Sequence, residues 1–276
     1  MDEIINSVST YVDMVDKMQK DIIKQEESSF INNFLLFRGQ GNDYLLVPSI
    51  ARDGNNNNNL IIKEKTIIDS MQRLKPDIFK KEYSAIDTLA LLQHYGIPTR
   101  LLDVTENALI ALYFACEDED IKNDGIIYVF KDNEFSLEYS QIIERLAESY
   151  QLPDAEKNIS SFLKCDSRET ESIKNLYSNY IIVRSSIKSQ RQYNQAGCFI
   201  LFPNKITENN EFGLTIDKTP GNIYKKIKVD KNSKKSILET LSLLGITKSF
   251  IYPDRIDYVG KDMLKKIDLK NLKQMN

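Results

Sequence analysis

The chain predicts an α+β fold, a single compact domain with a mixed sheet and surrounding helices, and three observations carry that expectation. Helical and strand patterns mix irregularly, with neither internal repeats nor the steady βαβ rhythm of a doubly wound sheet. No linker divides the 276 residues, a length that supports a substantial core. The run Ile126-Ile127-Tyr128-Val129-Phe130 is continuously apolar, as a strand inside a sheet requires.

Taken in order, Ile4, Ile5, Val8, Val12, Val15 and Ile22 recur at helical spacing. They predict an amphipathic helix over residues 3–25, an N-terminal unit of residues 1–30 ahead of a domain of residues 31–276. Residues 33–37 form a short apolar strand that ends in Arg38-Gly39-Gln40-Gly41, where glycine admits backbone geometry closed to other residues. Residues 47–52 are extended, and the asparagine run at 55–59 is a surface loop. Ile61, Ile67, Ile68, Met71 and Leu74 mark a helix that carries Glu64 and stops at Pro76. Ser84 starts the next, which runs to Tyr95 with Gly96 as its cap, so Gln93 and His94 fall on the last turn. Residues 99–104 cross as a strand, and Thr105 or Asn107 caps the nearly all-apolar helix at 108–117.

Residues 136–178 read as a charged helical insertion. Residues 180–183 return to strand, and Ser185 or Ser186 caps a short helix carrying Arg191 and Gln195. Gly197 ends that helix before a strand at 198–202. After a polar loop, residues 223–229 alternate lysine with apolar residues as an edge strand. A helix over residues 236–244 closed by Gly245, then Phe250-Ile251-Tyr252 and a last helix from Arg255, complete the chain.

Composition narrows the function classes. A net charge of −3 disfavours a generic surface for duplex nucleic acid. No apolar run reaches the ~20 residues of a membrane span, and Met1-Asp2-Glu3 lacks the basic start of a signal peptide, so a cytoplasmic protein is expected. The three cysteines, Cys116, Cys165 and Cys198, lie far apart with almost no histidine to join them. Zinc and a disulfide framework are therefore not expected.

Polar residues gather between apolar flanks in Gln93-His94-Tyr95-Gly96-Ile97-Pro98-Thr99-Arg100-Leu101-Leu102-Asp103, which includes the only histidine. Arg38, Arg52, Arg100 and Arg191 all stand at element ends, from which side chains can converge on a phosphate or carboxylate. Salt bridges to Asp103, Glu64 or Asp254 are the structural alternative. His94 serves either as a general acid or base or as a cap on the last carbonyls of its helix. Asp103 either orients His94 or locks Arg100, the locked pair being the stronger expectation. Thr99 and Thr105 read as capping and strand-end hydroxyls ahead of nucleophiles, and Tyr113 and Phe114 as core.

These motifs, with Phe37-Arg38-Gly39, Ala111-Leu112-Tyr113-Phe114-Ala115, Arg191 with Gln195-Ala196-Gly197-Cys198-Phe199, and Leu244-Gly245-Ile246-Thr247 with Tyr252-Pro253-Asp254, resemble the FRG-domain family over residues 34–260. Val104 departs from the family, which usually has a tryptophan there. The resemblance implies a bacterial or phage protein in a mobile-element or defence setting. A weaker likeness is to ADP-ribosyltransferases. There Arg38 would hold a dinucleotide phosphate, Thr105 would support a nicotinamide pocket, and Gln195 would stand near the catalytic glutamate, which is absent. The implied function is a defence or toxin effector acting on a nucleotide, with NAD as first candidate substrate for ADP-ribosyltransferase or NAD glycohydrolase chemistry. Arg38 and Arg100 would hold phosphates, His94 would handle a proton, and Asp103 or Glu64 would supply charge. Gly39, Gln40, Arg52, Gln93, Thr99, Thr105, Arg191 and Gln195 complete the expected ligand-binding set, without a metal or an assigned cofactor. A metal-independent nuclease, or a non-catalytic sensor of a nucleotide or phage component, remains open, as does a protein partner or trigger.

Overall fold

The computed structural model describes residues 3–25, 35–52, 58–117, 122–131, 140–151, 173, 180–209, 211–216, 223–259 and 262–263. The first half of the chain gives β1 (Ile4–Ile5), α1 (Val8–Gln25), β2 (Leu35–Gln40), α2 (Asn58–Leu74), α3 (Ala85–His94), β3 (Leu101–Thr105), α4 (Ala108–Cys116) and β4 (Gly125–Lys131). The second gives α5 (Ser140–Ala147), β5 (Ile181–Val183), α6 (Gln190–Asn194), β6 (Gly197–Leu201), β7 (Asn204–Ile206), β8 (Phe212–Ile216), β9 (Lys225–Val229), α7 (Lys234–Leu243) and α8 (Lys248–Ile251).

The expected α+β fold is present. A seven-stranded sheet runs in the order β1-β9-β4-β2-β3-β6-β5, antiparallel except for the parallel β1–β9 pair, and β7–β8 form a separate hairpin. Alternation along the strands sends Leu35, Phe37, Leu101 and Phe199 to one face and Leu36, Leu102, Cys198 and Ile200 to the other. Two apolar clusters share the first face: one under α1, α4 and α7, the other under α3 and α5. Ile50, Ala51, Ile61 and Ile216 cover the opposite face.

Several boundaries differ from expectation. Ile4 and Ile5 pair with β9 as an edge strand and the first helix begins at Val8, so the lysine-bearing β9 lies inside the sheet. Hydrophobic spacing cannot separate two strand residues from the helix that follows them. Residues 49–51 form a 3-10 turn, and α2 begins at Asn58, within the expected loop. Part of the 136–178 insertion lies outside the described residues, as does Cys165. The polar loop before β9 contains the β7–β8 hairpin. Ser189, not Ser185 or Ser186, caps α6, because the latter two hydroxyls donate to the Asp87 carboxylate at 2.7 and 2.6 Å. The left-handed residue before β6 is Ala196, with φ 44°, and Gly197 is already in the strand. No helix among the described residues is long and apolar enough to cross a membrane.

Helix α4 is the centre of the molecule. Asn107 caps it through Oδ1, and Ile110, Ala111, Leu112, Tyr113, Ala115 and Cys116 are buried. Burial pushes the Cys116 thiol up to about 12, far from the range of a reactive cysteine. A Cβ on Gly39 would stand 1.8 Å from the Ala111 carbonyl oxygen, and one on Gly125 2.3 Å from that of Ala115. Strands β2 and β4 therefore touch the helix backbone directly. Gly39 is required by this close approach, not by an unusual φ, which corrects the expectation for that residue.

Gly39→Ala is expected to destabilise the protein by about 3 kcal/mol or more, as severe overpacking does. Gly96→Ala, at φ +78° but with open space around the position, is expected to cost only ~1–2 kcal/mol of backbone strain. Denaturant midpoints of the two variants check the order; equal losses would contradict the contact.

Candidate functional site

Strands β2 and β3 meet through one register pair, Phe37 with Thr105, whereas β2 and β4 stay paired from Leu35 to Gln40. Continuing the β2–β3 register would set Gly39 opposite Asp103, but the ladder stops first. Instead the Arg38 side chain crosses the seam: Nη1 donates to the Asp103 carbonyl at 2.6 Å and Nε to Gln40 Oε1 at 3.2 Å. Burial, and secondarily the nearby Arg52, lower the Arg38 pKa, while Asp103 opposes the shift. The guanidinium remains charged, its intrinsic value being so high.

The opened seam lies beneath a cavity of about 280 Å³. Phe37, Arg38 and Gly39 of β2 and Asp103, Val104 and Thr105 of β3 form its floor; Ala90, Gln93 and His94 of α3, Phe114 of α4, and Arg191, Gln192, Gln195, Gly197 and Phe199 surround it. It separates the two clusters that share this sheet face.

Each wall has a local reason to stand where it does. Ser84 caps the start of α3, and at its end the Tyr95 backbone N–H reaches the Leu91 and Leu92 carbonyls while Gly96 adopts φ +78°. The backbone thus closes the helix, and the His94 imidazole does not cap it. The His94 imidazole makes an edge contact with Tyr95, ring centres 5.1 Å apart, and no hydrogen bond among the described residues. Gln93 is anchored through Oε1, which accepts from the Thr99 hydroxyl at 2.6 Å, leaving its amide nitrogen as a donor.

Across the cavity, Ser189 and Gln192 make a reciprocal capping box that starts α6. Arg191, on the first turn, lies over the Tyr252 ring at 4.7 Å. Gln195 donates through Nε2 to the Ile251 carbonyl at 3.1 Å, and its own carbonyl accepts from the Thr105 hydroxyl at 2.6 Å. Gln195 and Thr105 therefore fasten the wall. Asp103 is exposed, and its carboxylate has no hydrogen bond or ion pair among the described residues.

Of the expected site residues, the fold brings together Arg38, Gly39, Gln93, His94, Asp103, Thr105, Arg191 and Gln195. Five are placed elsewhere. Arg100, with no exposed surface, forks onto Glu64 and also donates to Ser149 Oγ at 2.6 Å and Asn204 Oδ1 at 3.0 Å. Neither Arg100 as a phosphate holder nor Glu64 as a catalytic carboxylate fits: each is spent on the other away from the cavity. The expected Arg100–Asp103 pair fails for a reason of strand geometry, since residues three apart in an extended chain point to opposite sides. Thr99 is buried and bonded to Gln93 and Ser49. Gln40 clamps the Tyr44 carbonyl, and the exposed Arg52 donates to the Val47 carbonyl at 3.4 Å.

Phe114, Gln192 and Phe199 were not among the expected residues. The sequence predicts Phe114 in the core, and it packs against the core while standing half-buried at the cavity edge; a helix apolar on all sides gives no polar face by which to tell. Gln192 had a legible signal, the Ser-x-x-Gln spacing of a capping box.

Residues 32–124 match the family model described as FRG domain. No curated protein and no solved structure matches the chain significantly, so the likeness to ADP-ribosyltransferases gains no support. The matched span supplies the cavity floor, His94 and Phe114, while α6 and β6 come from beyond it.

Glu64→Ala strands a fully buried guanidinium and is expected to cost about 3–5 kcal/mol. Asp103→Asn, on an exposed carboxylate, is expected to stay within ~0.5 kcal/mol of wild type. Thermal or denaturant unfolding of the pair separates a structural from an available carboxylate; comparable losses would overturn the distinction.

Proposed function

From the premise that this chain carries an FRG domain, we propose that the cavity binds a nucleotide and acts on it, with NAD as the first candidate substrate and a defence or toxin effector as the biological setting. One observation carries the reading: His94, Asp103 and Arg191 border the same cavity without being consumed by internal ion pairs or hydrogen bonds among the described residues. A proton carrier, an anion and a cation left available in one concavity are what chemistry on a charged ligand needs.

The remaining lining supports a planar ligand. Phe114 and Phe199 offer apolar surface for a base or a nicotinamide ring, and the amide nitrogens of Gln93 and Gln192 offer donors to its edge. The volume lies near the lower end of ligand cavities, which start at roughly 300 Å³. It suits the base and sugar of one nucleotide, with the rest of a dinucleotide extending outward.

In this reading His94 transfers a proton at the ribose or leaving group. Asp103 supplies the negative charge that stabilises a developing ribosyl cation, since Glu64 is committed to Arg100 and Gln195 carries no charge. Arg38 holds the Asp103 carbonyl, so it fixes β3 instead of contacting phosphate.

Purified protein is expected to release nicotinamide from NAD, followed by chromatography. Asp103→Asn and His94→Ala should slow release by ~10²-fold or more while the thermal shift induced by NAD persists. A shift without release would favour a sensor that binds without turnover. Absence of both would sink the nucleotide reading.

A further inference from the structure

Arg191, a cation beside the cavity, is held by an aromatic ring and not by a carboxylate. Its guanidinium lies 4.7 Å from the centre of the Tyr252 ring. By contrast, Arg100, Arg184 and Arg255 each pair with a carboxylate. A carboxylate neutralises a guanidinium and occupies its donors, whereas an aromatic face attracts the cation and leaves the in-plane N–H groups available. The Arg191 guanidinium has no hydrogen bond or ion pair among the described residues.

The ring is itself fixed from behind. Tyr252 donates its hydroxyl to Glu117 Oε2 at 2.7 Å, immediately past the end of α4. The two residues before it are tied to α6: the Phe250 carbonyl accepts from Asn194 Nδ2 at 2.8 Å and the Ile251 carbonyl from Gln195 Nε2 at 3.1 Å. Burial, then the Glu117 charge, push the Tyr252 phenol far above its ordinary range, so it keeps its proton and continues to donate. Tyr252 does not line the cavity. A chain of contacts thus runs from the C-cap of α4, through a side chain outside the cavity, to a cation on its wall.

We infer that Arg191 is the anion-recognising group of the cavity, taking a phosphate of the ligand, and that Tyr252 is its positioning residue, with Glu117 fixing the ring. The choice of a nucleotide as the phosphate's carrier rests on the proposed function; the anion site does not. The role expected of Arg38 and Arg100 passes to Arg191, because those two are engaged with Asp103, Gln40, Glu64, Ser149 and Asn204.

Calorimetric titration of the whole chain with adenosine, AMP and inorganic pyrophosphate tests this. Wild type is expected to bind AMP about 10-fold or more tightly than adenosine, the range of a charge-assisted contact. Arg191→Gln should abolish that preference, Arg191→Lys should restore little of it, and Tyr252→Leu should lose it while adenosine affinity is unchanged. Tyr252→Phe, which keeps the ring but loses the hydroxyl held by Glu117, should retain part of it, between wild type and Tyr252→Leu. A purely structural tyrosine would lower both affinities together. Equal affinity for AMP and adenosine in wild type, or a preference that survives Arg191→Gln, overturns the inference while leaving the nucleotide reading intact. Pyrophosphate binding lost in Arg191→Gln, with neither adenosine nor AMP bound, supports the anion site and removes the nucleotide. Binding of none of the three overturns both.

Discussion

The direct seat of helix α4 on the sheet is the contact on which the rest of this fold depends. Two glycines on adjacent strands, Gly39 and Gly125, let the Ala111 and Ala115 backbone approach within distances that any Cβ would forbid. With the helix so low, its apolar surface meets the sheet beneath and α1 and α7 beside it, and the cluster closes around Ile110, Ala111 and Leu112. The same seat brings Phe114 to the edge of the cavity and places Glu117, just past the helix, within reach of Tyr252. Packing and site geometry are thus two results of one close approach.

Charge is distributed unevenly around this frame. Arg100 and Glu64 form a buried pair whose remaining donors are met by Ser149 and Asn204, the satisfaction that makes a desolvated ion pair tolerable. At the cavity the pattern reverses. Asp103 is left exposed, the His94 ring makes an edge contact with Tyr95, and Arg191 is steadied by a neutral ring. The interior uses its polar groups for architecture, whereas the cavity leaves the side chains of His94, Asp103 and Arg191 available beside the engaged Arg38, Thr105 and Gln195.

Much of this was legible in the sequence because the signals were local. Ser84 and Gly96 bracket α3, Gly245 closes α7, and the apolar run of β4 announces a strand covered on both faces. The cavity's location was legible for the same reason, since His94 and Asp103 lie on either side of one turn. What local pattern could not supply was partnership. Whether Arg100 faces Asp103 or Glu64 is decided by strand alternation and by an α2 helix 36 residues earlier. The purpose of Gly39 is visible only once α4 lies on it, and Tyr252 acquires a role only when the C-terminal segment folds back against α6.

Because His94 is the only histidine, one imidazole signal reports on the cavity without ambiguity. The decisive measurement is the NMR resonance of that ring during titration with AMP or NAD. A saturable shift, matched by changes at Phe114 and absent on titration with nucleotide-free buffer, is the predicted result. A His94 resonance that stays fixed while either nucleotide binds elsewhere, or while neither binds at all, would contradict the assignment of this cavity as the ligand site.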